Sequence, residues 1–308
     1  AEPATALYAF CRVADDLIDE ARDATAMAQL HERLDSIYAQ RPFAHPADRA
    51  FSRVVARFAI PRALPMALLE GLAWDAEGRQ CDDEAALEAY AARVAAAVGA
   101  IMTLLMGVRE PRALSRACDL GAAMQYTNIA RDVGEDARAG RLYLPRAWLK
   151  AEGIDPDAWL AQPQFNDALG RVVARLLAAA DALYQRAEHG IADLPRRCRP
   201  AIRAARLVYA EIGREVERAG MDSISRRAVV PRSRKLALVT QALGAALALP
   251  PAGLHSPTAL PAVQYLVDEA SRPRPARPAT ELIARADGNF YQRTLWVIDL
   301  FEKVAERN

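Results

Sequence analysis

Four polar residues between positions 125 and 136 share one face of a predicted helix. Asn128, Asp132 and Asp136 recur every fourth residue, and Gln125 lies one turn before them. Because side chains four residues apart are neighbours on a helix, these amides and carboxylates form one oxygen-rich stripe. Such oxygen ligands suit a hard divalent cation, and the like charges of the stripe need a counter-ion. The stripe therefore predicts a magnesium site.

A second acidic stripe lies near the N-terminus of the chain. Asp15 and Asp19 are one turn apart on a predicted helix, and Arg12 lies one turn before Asp15. Asp16 projects about 100° around the helix from Asp15, which makes it the weaker candidate ligand. One such pair alone is more typical of a solvated helix face. Two stripes in one chain favour two helices that face each other across a metal site.

Arginines accompany both stripes. Arg131, Arg138 and Arg141 surround the second stripe, and a guanidinium group pairs well with phosphate oxygens. This pattern favours a metal-bound polyphosphate as the ligand. Residues 137–145 leave the predicted helix through Gly140 and end at a proline. This segment predicts either a flap that closes over a phosphate group or an ordinary surface loop.

Two further segments are candidates for the same site. Residues 90–99 place small side chains on consecutive turns after Tyr90. They leave room either for a bulky apolar ligand or for a close contact between helices. Residues 226–235 contain four arginines and Lys235 ahead of a predicted helix. Taken alone, this second pattern is more typical of a solvated basic turn.

Composition and spacing exclude several other functions. The net charge is +1 and basic and aromatic residues do not alternate, so no nucleic-acid partner is expected. The four cysteines are scattered, which indicates reduced thiols in a cytoplasmic protein. The four histidines lack the spacing of zinc ligands. No apolar run is long enough to predict a membrane span, and no signal peptide is visible.

Apolar residues recur at three- and four-residue spacing, which predicts an all-α protein. No internal repeat divides the chain, so a single domain over 1–308 is expected. A proline-rich connector is predicted at 250–278, followed by a last helix at 280–306. Helix starts are expected at Pro46, Pro61, Pro111 and Pro156, with Asp155 as an N-cap. The predicted helices are 3–22, 24–40, 47–59, 62–78, 83–108, 111–137, 155–160, 166–189, 192–220, 233–249, 258–270 and 280–306.

The two acidic motifs together resemble those of the squalene and phytoene synthase family. The first motif is Tyr-Ala-Phe-Cys-Arg-Val-Ala-Asp-Asp-Leu-Ile-Asp, over residues 8–19. The second motif begins at residue 125 and reads Gln-Tyr-Thr-Asn-Ile-Ala-Arg-Asp-Val-Gly-Glu-Asp. The resemblance extends over residues 1 to about 245, and the second motif is most similar to that of bacterial phytoene synthases. Relatives carry a further segment upstream, so we expect the natural N-terminus to precede Ala1.

The resemblance implies a class I isoprenoid synthase fold, in which the two motifs lie on opposite walls of a central helical cavity. Mg²⁺, or Mn²⁺ in its place, would bridge them to diphosphate. The implied metal ligands are Asp15, Asp19, Asn128, Asp132 and Asp136. The implied substrate-binding residues are Arg12, Gln125, Asn128, Arg131, Arg138, Arg141, Arg227 and Lys235, and Tyr90 and Tyr209 would lie near the reacting carbons.

The implied activity is that of a prenyltransferase in carotenoid biosynthesis. It would join two geranylgeranyl diphosphates head to head through prephytoene diphosphate to phytoene, without a nicotinamide cofactor. A squalene or dehydrosqualene synthase using farnesyl diphosphate, with NADPH in the squalene case, is the first alternative. A catalytically inactive helical assembly factor is the second. The family's small-residue segment has glycine where this chain has Ala96, and Tyr126 replaces a common leucine; both changes would alter the width of the prenyl channel.

Two expectations concern partners. Six large apolar residues in 291–306 predict either core packing of the last helix or a peripheral contact with the cytoplasmic face of the inner membrane. Because the product would be a carotenoid precursor, contact with downstream carotenoid enzymes is a further hypothesis.

Overall fold

The computed structural model describes residues 2–21, 24–245 and 258–273. Within these ranges the chain is helical and contains no strand, as predicted. The helices are α1 (Glu2–Ala21), α2 (Ala24–Tyr38), α3 (Pro46–Phe58), α4 (Ala63–Ala76), α5 (Glu84–Ala91), α6 (Ala97–Leu105), α7 (Pro111–Arg138), α8 (Arg146–Ala151), α9 (Pro156–Ala161), α10 (Asp167–Ile191), α11 (Arg199–Arg218), α12 (Arg232–Ala245) and α13 (Gln264–Ser271). A π-helical turn (Ala92–Ala96) joins α5 to α6, and a 3₁₀ turn (Pro261–Val263) precedes α13.

Local sequence signals explain several of the helix starts. Pro46, Pro111 and Pro156 occupy the first turns of α3, α7 and α9, where a missing backbone N–H costs nothing. The carboxylate of Asp155 caps α9 by accepting from two backbone N–H groups, as predicted. The prediction for Pro61 is wrong, because α4 begins at Ala63.

The long helix α7 is the centre of the bundle. It packs against α5, α6, α10, α11 and α13, and against the π turn. One hydrophobic core lies around α7, α10 and α11, and includes the buried residues Leu176 and Tyr184. A second core lies around α1 to α4 and α6, where the rings of Phe10 and Phe51 stack with centroids 4.6 Å apart. α7 contributes residues to both cores and therefore connects them.

Two glycines let α7 approach the π turn and α6 closely. A Cβ atom at Gly99 would lie 2.4 Å from the carbonyl oxygen of Ala117, and one at Gly121 would lie 2.5 Å from that of Ala95. Ala96 is fully buried in the same contact. The small residues of 90–99 therefore allow close helix packing on this face. This is one of the two alternatives that the sequence left open, the other being space for an apolar ligand.

The segment Glu84–Leu105 is long and apolar enough to cross a membrane by length and composition alone. The sequence pattern predicts no membrane span here. In the structure it packs against α4 and α7, inside the bundle. We therefore interpret it as a core helix, interrupted by the π turn, instead of the uninterrupted helix predicted over 83–108.

The remaining differences from the predicted elements are small. Helix α8 was missed, and α11 begins at Arg199 because turns occupy 192–198. Residues 258–273, inside the predicted connector, contain the 3₁₀ turn and α13, so this part is not an extended loop. The helix predicted over 258–270 is confirmed from Gln264 onward. The predicted helix 280–306 lies outside the described residues.

An ion-pair cluster holds the segment before α13 against the N-terminal half of α7. Asp119 is completely buried and accepts from Arg186, and its Oδ2 lies 3.0 Å from Nη1 of Arg116. Arg186 also donates to the carbonyl oxygen of Thr258 at 2.8 Å. Because buried charges are stable only when paired, this cluster ties a distant part of the chain to α7.

Candidate active site

A cavity of about 570 Å³ runs through the centre of the bundle. Helix α7 lines it from Ala113 to Asp136, a distance of roughly 35 Å at about 1.5 Å per residue. The middle is apolar, with Leu72, Met102 and Met124 among its lining residues. The end near the last turns of α7 is polar, and we call it the cavity mouth. Its polar lining residues are Arg12, Asp15, Asn128, Asp132, Glu135, Asp136 and Arg141.

The predicted polar stripe of α7 faces this cavity. Gln125, Asn128, Asp132 and Asp136 all line it. Asp15 lines it from α1, so the two predicted acidic motifs contribute to one cavity from two helices. The side chain of Asp19 lies outside the described part of the chain.

Asp132 is a buried residue of the cavity mouth that is paired with two arginines. It is only 3% exposed, and Nε of Arg131 and Nε of Arg227 each donate to its Oδ1 at 2.7 Å. Because a buried carboxylate needs a cation close by, both arginines bind Asp132 in this conformation. They do not line the cavity, so their predicted contact with diphosphate stays a prediction.

Gly134 explains how Arg227 reaches Asp132. The backbone N–H of Gly134 donates to the carbonyl oxygen of Ser223 at 3.0 Å, and Oγ of Ser223 donates to the carbonyl oxygen of Ala130 at 2.6 Å. A Cβ atom at Gly134 would lie 2.7 Å from the Ser223 oxygen. The glycine inside the second motif therefore lets residues 223–227 cross α7 at hydrogen-bond distance.

The oxygen atoms at the mouth suit a divalent cation. Oδ1 of Asn128 is buried and has no hydrogen-bond partner in the described ranges. Burial and the neighbouring carboxylate of Asp132 raise the pKa of Asp136 to about 7, although Arg141 lowers it. A cation would satisfy both oxygens, so the donor set fits a metal. Among the described residues, however, no three acidic, histidine or cysteine residues lie close enough to hold one alone.

The structure adds Asp75 and Tyr143 to the candidate site, and no sequence pattern indicated either residue. Tyr90 donates to Oδ2 of Asp75 at 3.1 Å, and Tyr143 donates to Oδ1 of the same carboxylate at 2.8 Å. All three residues line the cavity. Burial, and then the charge of Asp75, raise the pKa of Tyr90 well above its usual value. No second carboxylate lies three or four residues from Asp75, so the sequence offered no acidic stripe that would indicate it.

The predicted flap is in fact a packed segment over its second half. Leu142 and Leu144 are buried, and Tyr143 is bound to Asp75. The backbone N–H of Arg146 donates to the carbonyl oxygen of Cys81 at 2.9 Å. Gly140 adopts a positive φ of 76°, which turns the chain at the end of α7.

Of the other predicted site residues, some line the cavity and others do not. Tyr209 lines the cavity from α11, and Arg12 lines it while bound to Asp16 on its own helix. Asp16 is not a lining residue, in agreement with its lower ranking. Arg138 is exposed and donates to the carbonyl oxygen of Ile224 at 3.3 Å, and Lys235 is half-buried away from the cavity lining.

The two departures from the family pattern also have different consequences. Tyr126 is buried in the core and is not among the cavity-lining residues. Ala96 packs against α7, whereas Val94 and Ala95 line the cavity. Neither Tyr126 nor Ala96 lines the cavity, so no direct contact supports their expected effect on the width of the prenyl channel.

An all-helical bundle around a long apolar cavity with an acidic mouth defines the isoprenoid synthase class. Residues 1–234 match the family described as Squalene/phytoene synthase, and the chain belongs to that family. Members of the family depend on divalent metal ions.

Relatives with known names support this assignment. The chain is 52% identical to a phytoene synthase of Cereibacter sphaeroides, over 91% of this chain and 83% of that protein. It is 56% identical to a phytoene synthase of Rhodobacter capsulatus, over 88% of this chain and 82% of the relative. It is 40% identical to a 15-cis-phytoene synthase of Pantoea ananas, over 78% of this chain and 82% of that protein.

Solved structures support the fold. A dehydrosqualene synthase crystallised with a ligand is 30% identical, with a TM-score of 0.69, covering 79% of this chain and 85% of that one. A squalene synthase from Alicyclobacillus acidocaldarius is 26% identical, with a TM-score of 0.66, covering 71% of this chain and 83% of that one.

Proposed function

We propose that this protein joins two molecules of geranylgeranyl diphosphate head to head, through prephytoene diphosphate, to give phytoene and two diphosphates. The observation that carries the proposal is the 52% and 56% identity to phytoene synthases over about nine-tenths of the chain. The dehydrosqualene and squalene synthase structures are only 30% and 26% identical. The reaction would be the first committed step of carotenoid biosynthesis.

The cavity mouth is suited to the charged half of this chemistry. Departure of diphosphate leaves an anion, and fixed positive charge near that anion lowers the barrier. Mg²⁺, or Mn²⁺, would neutralise that anion when bound by Asp15, Asn128, Asp132 and Asp136, together with Asp19. Arg12 and Arg141 line the same mouth and would bind phosphate oxygens directly.

The apolar middle of the cavity is suited to the other half. An allylic cation reacts with water, so the residues around it must exclude water. Leu72, Val98, Met102, Leu120 and Met124 line this part of the cavity and carry no group that holds water firmly. The final cation loses a proton, which requires only a weak base and no hydride donor. We therefore propose that the enzyme uses no NADPH.

Product analysis tests this proposal. Purified full-length protein is incubated with Mg²⁺ and either geranylgeranyl or farnesyl diphosphate, with and without NADPH, and the hydrocarbons are separated by chromatography. We expect phytoene from geranylgeranyl diphosphate without NADPH. Squalene formed only from farnesyl diphosphate with NADPH, and no C40 product, would overturn the proposal. A complete absence of product from either substrate would favour the inactive assembly factor.

We also propose a peripheral contact with anionic membrane, because substrate and product are long hydrocarbons. Val229 and Leu236 are 69% and 60% exposed, and the exposed residues Arg226 and Arg232 lie near them in the sequence. The fraction of protein that sediments with phosphatidylglycerol vesicles should fall when Val229 and Leu236 are changed to serine. The same change at the exposed residue Phe43 should leave that fraction unchanged. Equal sedimentation of all variants would contradict this role. A cytoplasmic location and contact with downstream carotenoid enzymes stay predictions.

A further inference from the structure

We infer that Asp75 is a positioning residue, which fixes the hydroxyl groups of Tyr90 and Tyr143 at the wall of the reaction cavity. This inference rests on the proposed function. It concerns a side chain outside both acidic motifs, at the end of α4.

The contacts that support the inference come from three separate parts of the chain. Asp75 lies in the last turn of α4, Tyr90 lies in α5, and Tyr143 lies in the segment that follows α7. The two hydroxyl groups donate to different oxygens of the carboxylate, at 3.1 and 2.8 Å. The two rings stack with centroids 5.0 Å apart and an angle of 20° between their planes. One carboxylate therefore sets the orientation of both phenols.

The orientation of each hydroxyl group decides what it offers to the cavity. A phenol has one proton, and here that proton is directed at Asp75. The lone pairs of each phenol oxygen then point away from Asp75. The hydroxyl group of Tyr90 also interacts with that of Tyr143, which occupies one lone pair of Tyr143. Since all three residues line the cavity, the remaining lone pairs are available to a positively charged carbon. A hydrogen bond to a carboxylate also makes the phenol oxygen a better electron donor than a free phenol.

The same arrangement keeps the phenols in their neutral form. Burial, and then the charge of Asp75, raise the pKa of both Tyr90 and Tyr143 above the usual value. A neutral phenol stabilises an allylic cation by its dipole, whereas a phenolate would attack it. Asp75 therefore supplies negative charge near the cation without presenting a strong nucleophile on the two rings.

Asp75 also connects the apolar wall to the cavity mouth. Tyr143 follows Arg141, whose backbone N–H donates to the carbonyl oxygen of Asp136 at 2.8 Å. The chain that leaves α7 is thus anchored at Asp136 on one side and at Asp75 on the other. Loss of the Asp75 carboxylate would disturb the reacting region more than the binding of diphosphate.

The experiment compares kinetics of Asp75→Asn with those of Asp82→Asn, a matched change of an exposed aspartate seven residues away. An asparagine accepts from one phenol and must donate to the other, so one hydroxyl reverses. We expect kcat for phytoene formation to fall by about tenfold or more, with KM within about twofold. Asp82→Asn should match the wild type.

A double variant separates positioning from mere support of the fold. If Asp75 acts through Tyr90, Asp75→Asn combined with Tyr90→Phe should be no slower than Tyr90→Phe, within about twofold. Tyr143→Phe keeps the ring stack and should lower kcat by a few-fold even if Asp75→Asn fails to fold. Multiplicative losses, or a wild-type kcat in both Asp75→Asn and Tyr143→Phe, would overturn the inference. A wild-type protein that makes no C40 hydrocarbon would instead overturn the proposed function.

Discussion

Asp136 shows the electrostatic cost of building the cavity mouth. Burial and the charge of Asp132 raise its pKa from an ordinary 3.8 to about 7. The folded protein therefore holds a proton that the unfolded chain releases. The stabilising effect of this proton is fully present below pH 3.8 and is lost as the pH rises through about 7. Above that pH the folded protein contains a partly buried charge.

The corresponding prediction concerns Asp136→Asn in the presence of a chelator. Because asparagine is neutral at every pH, the change should raise the free energy of unfolding at pH 8 by about 1–3 kcal/mol. At pH 5 the difference should be smaller than at pH 8, and it should vanish only below pH 3.8, where the carboxyl is protonated in both the folded and the unfolded chain. Urea unfolding of wild type, Asp136→Asn and Asp82→Asn at both pH values measures this. An equal effect at the two pH values would show that charge is not the cause.

The sequence predicted which acidic residues belong to the cavity mouth, but not which residues they contact. Asp15, Asn128, Asp132 and Asp136 have partners at helical spacing, which local sequence reveals. The pairing of Asp132 with Arg227 joins residues far apart in the chain, and Asp75 meets its tyrosines in the same long-range way. Such contacts depend on helix packing, which periodicity does not specify.

At the scale of the helices, the crossing of residues 223–227 over α7 requires a glycine at position 134. Gly134 is required there because a Cβ atom would lie 2.7 Å from a backbone oxygen and 2.8 Å from Cα of Ile224. Backbone atoms cannot move aside as the end of a flexible side chain can. The crossing in turn brings Arg227 to Asp132.

We therefore expect Gly134→Ala to lower the free energy of unfolding by about 1–3 kcal/mol through overpacking. It should also reduce activity beyond its effect on the folded fraction, since Arg227 would be displaced. Gly244→Ala is the matched control, because among the described residues no atom outside the neighbouring backbone of its own helix lies within 4 Å of its Cβ position, and α12 gains a better helix former. Chemical unfolding and steady-state kinetics measure the two effects. A Gly134→Ala protein as stable and active as Gly244→Ala would contradict the crossing.

Helical periodicity predicted most elements but not their irregularities. The π turn of Ala92–Ala96 continues the apolar pattern of its neighbours, so sequence showed one helix over 83–108. The short helix α8 has only six residues, too few to establish a period.

In the molecule as a whole, one buried ion-pair cluster joins the middle of the chain to the segment before α13. Asp119 balances Arg116 and Arg186, and the cluster holds Thr258 before α13. Asp119→Ala would leave Arg116 buried without this carboxylate, so the free energy of unfolding should fall by about 3–5 kcal/mol. Asp157→Ala breaks an exposed pair with Arg146 and should change little. Thermal and urea unfolding compare the two variants. Equal stability would contradict the proposed importance of the cluster.

The all-α fold follows from apolar spacing because each amphipathic helix must bury one face. The central cavity does not follow from spacing alone, since a closely packed bundle has the same pattern. Its presence was implied by the resemblance of the two motifs to a known family. The structure then places both motifs on one cavity.

The central claim is that α1 and α7 hold a divalent metal together with diphosphate. Equilibrium dialysis of Mn²⁺ against the protein, with and without inorganic diphosphate, tests it most directly. Because no three described acidic residues suffice alone, we expect tight metal binding only when diphosphate supplies further oxygen ligands. Asp15→Ala and Asp132→Ala should each abolish this binding, and Asp82→Ala should not. Equal Mn²⁺ binding without diphosphate, or unchanged binding in both Asp15→Ala and Asp132→Ala, would contradict the account.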